Sequence, residues 1–214
     1  AGLVLAGPMA GKNVTVNPLV SCGTCRYCTQ GRENLCQTRQ IISMLPREGA
    51  FAQQLVMPTA NLVEVPDGVA IEHAALAEPI AVCWHAARLG REALFGDLKD
   101  AKCLVQGGGA IGVGSALSLR AMGAKDVTIA EPNKVRHGVL NSLGDFRVCD
   151  PSDVGEGFDI VIDCVGISHT RKAASSVVAA GGVIVHVGLG DSVEGIDIRR
   201  MTLQEVTFIG TYTY

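Results

Sequence analysis

Hydrophobic and polar positions fall into two textures along the chain. Up to about Pro79, short apolar or alternating runs are separated by turn formers. Segments 3–5, 13–16, 51–57 and 61–65 read as strands, punctuated by Gly11, Pro18, Pro46, Gly49, Pro58 and Pro66-Asp67-Gly68. This texture predicts part of an irregular β-barrel or sandwich. A helical stretch follows at 71–76 and 80–89, with Gly90 as its expected stop. From Ala101 the rhythm changes. Strands are predicted at 102–106, 126–130, 146–148, 160–164, 183–187 and 206–209. Helices are predicted at 111–122, 133–143 and 168–180, the last stopped by Gly181-Gly182. Nearly all-apolar strands alternating with helices imply a parallel sheet covered on both faces, an α/β architecture. Only about ten residues join 148 to 160, fewer than a parallel crossover normally takes, so a loop or one helical turn is expected there.

Composition narrows the function. The 214 residues are 48% hydrophobic, enough for the core of one large domain or two small ones. With 18 basic and 21 acidic side chains the net charge is −3, and no basic stripe suits nucleic acid or a membrane surface. No run approaches the roughly 20 uncharged apolar residues of a membrane helix. The longest apolar zone, around 71–89, is broken by Glu72, Glu78 and Arg88. No basic-then-apolar leader precedes a small-residue cleavage site. The expectation is a cytoplasmic protein without nucleic-acid or membrane partners.

The run Cys22-Gly23-Thr24-Cys25-Arg26-Tyr27-Cys28, with Cys36 after seven more residues, carries the strongest local chemistry. Four closely spaced thiolates on tight turns can wrap one zinc ion tetrahedrally, and a closed set of four leaves no position for substrate. Three other readings compete less well. Disulfides need an oxidising compartment. A redox pair at Cys22 and Cys25 lacks the start of a helix. An iron–sulfur site wants its fourth cysteine sooner and followed by proline, whereas Gln37 follows Cys36. A structural zinc is expected. Cys83, Cys103, Cys149 and Cys164 stand in apolar settings and read as small buried hydrophobes.

Gly107-Gly108-Gly109-Ala110-Ile111-Gly112 follows an apolar strand and opens an apolar helix. In that context G-x-G-x-x-G is a dinucleotide fingerprint: Gly107 for the tight turn, Gly109 for close approach of a pyrophosphate, Gly112 for helix–strand packing. The N–H groups of Ala110 and Ile111 open the helix and favour the anion. Glu131 lies 19 residues past Gly112 at the tip of the second strand. A carboxylate there accepts hydrogen bonds from ribose hydroxyls and repels a 2′-phosphate, so NAD is expected over NADP. Lys134 and Arg136 soften that preference. The turns Val165-Gly166 and Val187-Gly188-Leu189 are candidates for the nicotinamide end. None of the five histidines stands in a ligand pattern; His186 interrupts a strand and lies nearest this crevice.

A C-x2-C-x2-C-x7-C lobe some seventy residues ahead of this fingerprint resembles the zinc-containing medium-chain dehydrogenase/reductase family. Gly49-Ala50-Phe51-Ala52 and Pro66-Asp67-Gly68 sit where the family has G-x-F-A and P-D-G turns. Ala74-Ala75-Leu76-Ala77-Glu78-Pro79 is similar to the A-A-L-x-E-P segment of its polyol (sorbitol) branch and of the threonine dehydrogenase branch. Gly210-Thr211-Tyr212-Thr213-Tyr214 resembles the polyol branch's G-S-F-R-Y. The resemblance implies a doubly wound Rossmann domain at 89–214. It also implies part of a GroES-like barrel domain at 1–88, with the zinc lobe at 20–38. It implies hydride transfer between an alcohol or polyol and NAD, with a second, catalytic zinc that lowers the pKa of the substrate alcohol. Glu78 would sit beside that zinc, as a ligand or hydrogen-bonded to its water; otherwise it is a solvated glutamate ending a helix. The family's remaining catalytic-zinc ligands, an upstream Cys and a G-H-E segment, would precede Ala1, so the chain resembles a fragment lacking both ends. The alternative is a non-catalytic NAD-binding chain or pseudoenzyme retaining the structural zinc. A homodimer or homotetramer through the last sheet strand is also implied.

Overall fold

The computed structural model describes residues 1–214, in two units, Ala1–Glu78 and Pro79–Tyr214. The strands of the first unit are short. β1 (Gly2–Leu3) pairs antiparallel with β2 (Asn13–Val16), and β3 (Leu19–Val20) with β4 (Gln40–Ile41). β5 (Leu62–Glu64) lies antiparallel along the other edge of β2. Segment 51–57, predicted as a strand, joins no ladder: it runs as bends and extended coil, with Phe51 and Val56 exposed. Apolar residues become a strand only where a neighbour takes up their backbone N–H and C=O groups, and here none does. The unit ends in a single turn, α1 (Ile71–Ala74).

α2 (Ala77–Ala93) runs through Gly90, the expected stop. That glycine is buried, and a Cβ on it would lie 3.1 Å from Val185 Cγ2 and 3.4 Å from Ile160 Cγ2. Its missing side chain lets the helix come close to the sheet. The rest alternates: β6 (Lys102–Gln106), α3 (Ala110–Ala121), β7 (Asp126–Ala130), α4 (Lys134–Ser142), β8 (Arg147–Cys149), β9 (Phe158–Asp163), α5 (Ser168–Val177), β10 (Val178–His186), α6 (Ile198–Leu203) and β11 (Thr207–Gly210). α5 ends three residues before the predicted boundary. Val178 already pairs with Phe158, and Gly181 and Gly182 lie in an irregularity before the ladder resumes at Val183 opposite Ile160. α6 was not foreseen.

The six strands β6 to β11 are all parallel, in the order β11-β10-β9-β6-β7-β8. This is the doubly wound order, with its switch point between β6 and β9. One face buries Cys103, Val105, Ile129, Ile160, Ile162 and Val185 under Ala86 and Ala87 of α2 and Ala116 and Leu119 of α3. The other buries Leu104, Ala130, Val161 and Ile184 under Ala174 of α5. The link between β8 and β9 holds one 3-10 turn, Pro151–Asp153, as its shortness predicts. No helix is long and apolar enough to cross a membrane.

Candidate cofactor and metal sites

At the carboxyl end of β6 the chain turns sharply at Gly107, whose φ is +93°. The Gly107 N–H donates to the Ala130 carbonyl (2.8 Å). A Cβ on Gly112 would collide with the Gly107 carbonyl, so α3 can start this close only because residue 112 has no side chain. A Cβ on Gly109 would meet nothing within 4 Å, so the N-terminus of α3 looks onto open space. The first-turn N–H groups of any helix lack intrahelical partners and carry its positive dipole end, which suits an anion.

Glu131 follows β7 and is 3% exposed. Its Oε2 accepts from Gly108 N–H (2.7 Å) and its Oε1 from Asn133 N–H (2.8 Å), with Arg136 Nη1 at 3.5 Å from Oε2. Burial pushes its pKa up. The Asn133 and Gly108 N–H groups and the Arg136 charge outweigh that, and the carboxyl stays below its ordinary value. An ionised carboxylate is thus held against the glycine turn.

Across the switch point, Asp163 ends β9 and is fully buried. Its Oδ1 accepts from the N–H groups of Val165 (3.0 Å) and Gly166 (2.9 Å), and its Oδ2 from the Thr170 hydroxyl (3.0 Å). Its carbonyl accepts from Val187 and Gly188 N–H. Gly166 and Gly188 touch backbone to backbone, and a Cβ on either would collide with the other's loop. Val165 lies over Gly107, where a Cβ would come within 2.7 Å of Val165 Cγ2. Leu189 is 89% exposed. The structure therefore gathers Gly107 to Gly112, Glu131, Val165, Gly166, Val187 and Gly188 around one end of the sheet.

The sequence pattern missed Asp163 and Arg171. Arg171 is buried and reaches the carbonyls of Gly166, Val193 and Glu194 and the Asp191 carboxylate, tying the loop after β10 to α5. An acid closing the apolar run Ile160-Val161-Ile162 was a readable signal for Asp163. Arg171, in a polar helix, offered none.

In the first unit the Sγ atoms of Cys22, Cys25, Cys28 and Cys36 lie within 4.8 Å of one another, with Cys22–Cys28 at 3.9 Å and Cys25–Cys28 at 3.5 Å. Tetrahedral zinc thiolates have sulfur–sulfur edges of about 3.8 Å, so this quartet fits a zinc ion. The backbone N–H groups of Thr24 and Cys25 hold the Cys22 thiol down at about 5. Burial pushes Cys28 up to about 11. A divalent cation replaces the protons such a crowded set otherwise keeps. All eight cysteines are free thiols. Glu78, second residue of α2, is half-buried, which raises its pKa, and it is not part of the quartet.

Two family models match the chain: the alcohol dehydrogenase GroES-like domain over residues 4–67 and the zinc-binding dehydrogenase over residues 110–214. The chain belongs to the zinc-containing medium-chain dehydrogenase/reductase family. Among other members of the medium-chain family, it is 29% identical to an L-idonate 5-dehydrogenase of Vitis vinifera, covering 96% of this chain and 59% of that protein. It is 33% identical to a probable diacetyl reductase [(R)-acetoin forming] 2 of Saccharomyces cerevisiae, covering 93% of this chain and 50% of that one. The chain thus spans only half to three-fifths of these relatives. A solved putative zinc-binding dehydrogenase from Sinorhizobium meliloti, bound to NADP, superposes with a TM-score of 0.83 at 29% identity, covering 95% of this chain and 62% of that one.

Proposed function

We propose that this chain is the zinc-lobe and dinucleotide-binding part of an NAD-dependent oxidoreductase acting on an alcohol or polyol. The observation that carries the reading is the ionised, buried Glu131 carboxylate, 2.7 Å from an N–H of the glycine turn at the centre of a doubly wound sheet. Gly107, Gly109 and Gly112 shape the turn, and the N–H groups of Ala110 and Ile111 receive the pyrophosphate. Glu131 takes the adenosine ribose hydroxyls. Val165, Gly166, Val187, Gly188 and Leu189 border the nicotinamide end. When bound there, NAD would supply the hydride acceptor for the substrate carbon.

Cys22, Cys25, Cys28 and Cys36 hold a structural zinc in a barrel-type domain ahead of the cofactor domain, and α2 goes with the latter rather than ending the former at residue 88, because Ala86 and Ala87 pack on its sheet. Glu78 stands in the vicinity of a catalytic zinc in the whole protein. The activities named for the relatives, on idonate and diacetyl, support a small hydroxyl or carbonyl compound as substrate. β11 is a sheet edge, and unpaired edges invite another chain, which supports a dimer or tetramer built there. A cytoplasmic location accords with this chemistry.

NADP is a second reading, favoured by Arg136 beside Glu131 and by the NADP found in the similar solved protein. Calorimetric titration with NADH and NADPH separates the two. NADH is expected to bind at least tenfold tighter, and a preference for NADPH overturns the NAD assignment. A chain that binds NADH and zinc, but whose longest expressed form turns over no alcohol or polyol, is the non-catalytic alternative.

A further inference from the structure

One row of side chains crosses the sheet at its carboxyl end. Register aligns Gln106 of β6 with Asp163 of β9, and Asp163 with His186 of β10. These three share the α5-covered face with Leu104, Val161 and Ile184, which lie two residues earlier on the same strands. The earlier row is apolar core; this row is polar. Gln106 Oε1 is buried without a partner, while Asp163 and His186 satisfy each other, with His186 Nδ1 at 3.2 Å from Asp163 Oδ2. With Asp163 Oδ2 as the acceptor of this pair, the hydrogen is assigned to Nδ1. The ring rests against Phe208, centroids 5.7 Å apart.

Asp163 is the hub of the turn beyond β9. Oδ1 holds the Val165 and Gly166 N–H groups, and only Thr170 and His186 hold Oδ2 from the other side. Gly166, at φ +75°, touches the Gly188 backbone, and Val165 covers Gly107. A small rotation of the Asp163 carboxylate therefore shifts both loops at the far side of the switch point from Glu131. A dinucleotide whose adenosine lies at Glu131 places its nicotinamide on that far side.

We propose that His186 is a positioning residue for the nicotinamide subsite, acting through Asp163 on the Val165-Gly166 turn. This rests on the dinucleotide-binding reading above. His186 need not touch the ligand; it fixes the carboxylate that fixes the turn.

The test is calorimetric titration of the full chain with NADH and with ADP-ribose, which lacks the nicotinamide. His186→Leu removes the donor, and NADH is expected to bind roughly tenfold more weakly, the worth of one such hydrogen bond, while ADP-ribose binding stays within about twofold. The amide of His186→Asn reaches the Nδ1 position and that of His186→Gln reaches Nε2 instead. Asn is expected to restore NADH affinity to within about threefold of wild type, and Gln is not. The Asn–Gln contrast decides the matter even if the Leu variant does not fold. Equal losses on both ligands, unchanged NADH affinity in His186→Leu, or Gln rescuing as well as Asn overturns the role of His186. Wild-type chain that binds neither ligand overturns the dinucleotide reading itself, and this inference with it.

Discussion

Gly112 has no room for a side chain. Gly112→Ala drives a Cβ into the Gly107 carbonyl, and one of the two backbones must yield. Overpacking of this kind destabilises by about 3 kcal/mol. The variant is expected to lose that much in urea unfolding and to bind NADH at least tenfold more weakly; wild-type values contradict the packing account. Glu131 makes a pH prediction. Its folded pKa is lowered, so its ionised form contributes stability that is present above the unfolded value of about 4.3 and lost as pH falls through the folded value. Glu131→Gln is expected to flatten the fall in unfolding free energy below about pH 4.3 and to raise NADPH affinity relative to NADH. An unchanged acid limb denies the carboxylate its role. Arg171→Met removes the buried guanidinium that holds the carbonyls of Gly166, Asp191, Val193 and Glu194, and a drop in stability and looser packing of the loop after β10 are expected in urea unfolding; wild-type stability contradicts the tie. Such chemistry was unevenly legible in the sequence. The cysteine and glycine spacings are local, so the pattern and the site coincide. Arg171 meets most of its partners some twenty residues downstream, and nothing in its own helix distinguishes it from a solvated arginine.

At the scale of elements, the errors share a cause. Gly90 and Gly181-Gly182 were read as helix stops because glycine is a poor helix former. Gly90 instead serves the close approach of α2 to Ile160 and Val185, and Gly181 and Gly182 fall in the irregular part of β10. Segment 51–57 had an apolar pattern without a neighbour to pair with. At the glycines, packing between distant segments overrode local preference; at 51–57, the lack of a partner strand did. The cysteine lobe is an element in its own right, held by its own N–H···S bonds and remote in sequence from the sheet. Cys36→Ser is therefore expected to lower zinc by one ion per chain, by inductively coupled plasma mass spectrometry, while NADH affinity stays within about threefold. Wild-type zinc content in that variant contradicts the four-thiolate site.

At the scale of the molecule, apolar strands alternating with helices made a parallel sheet covered on both faces legible, and the short link before β9 was read as a loop or single turn, as found. The reversal of strand order between β6 and β9 was carried only by the family resemblance, because no local pattern says which strands are neighbours. β11 is an edge strand, and its pairing with a second chain is a prediction. Light scattering at micromolar concentration is expected to give at least twice the chain mass, and a monomer contradicts assembly through that strand. The central claim is that the carboxyl end of this sheet is a dinucleotide site. It is tested most directly by calorimetric titration of the chain with NADH. One molecule bound per chain with a micromolar dissociation constant is the expected result, and no binding to folded, zinc-loaded protein at millimolar NADH contradicts the account.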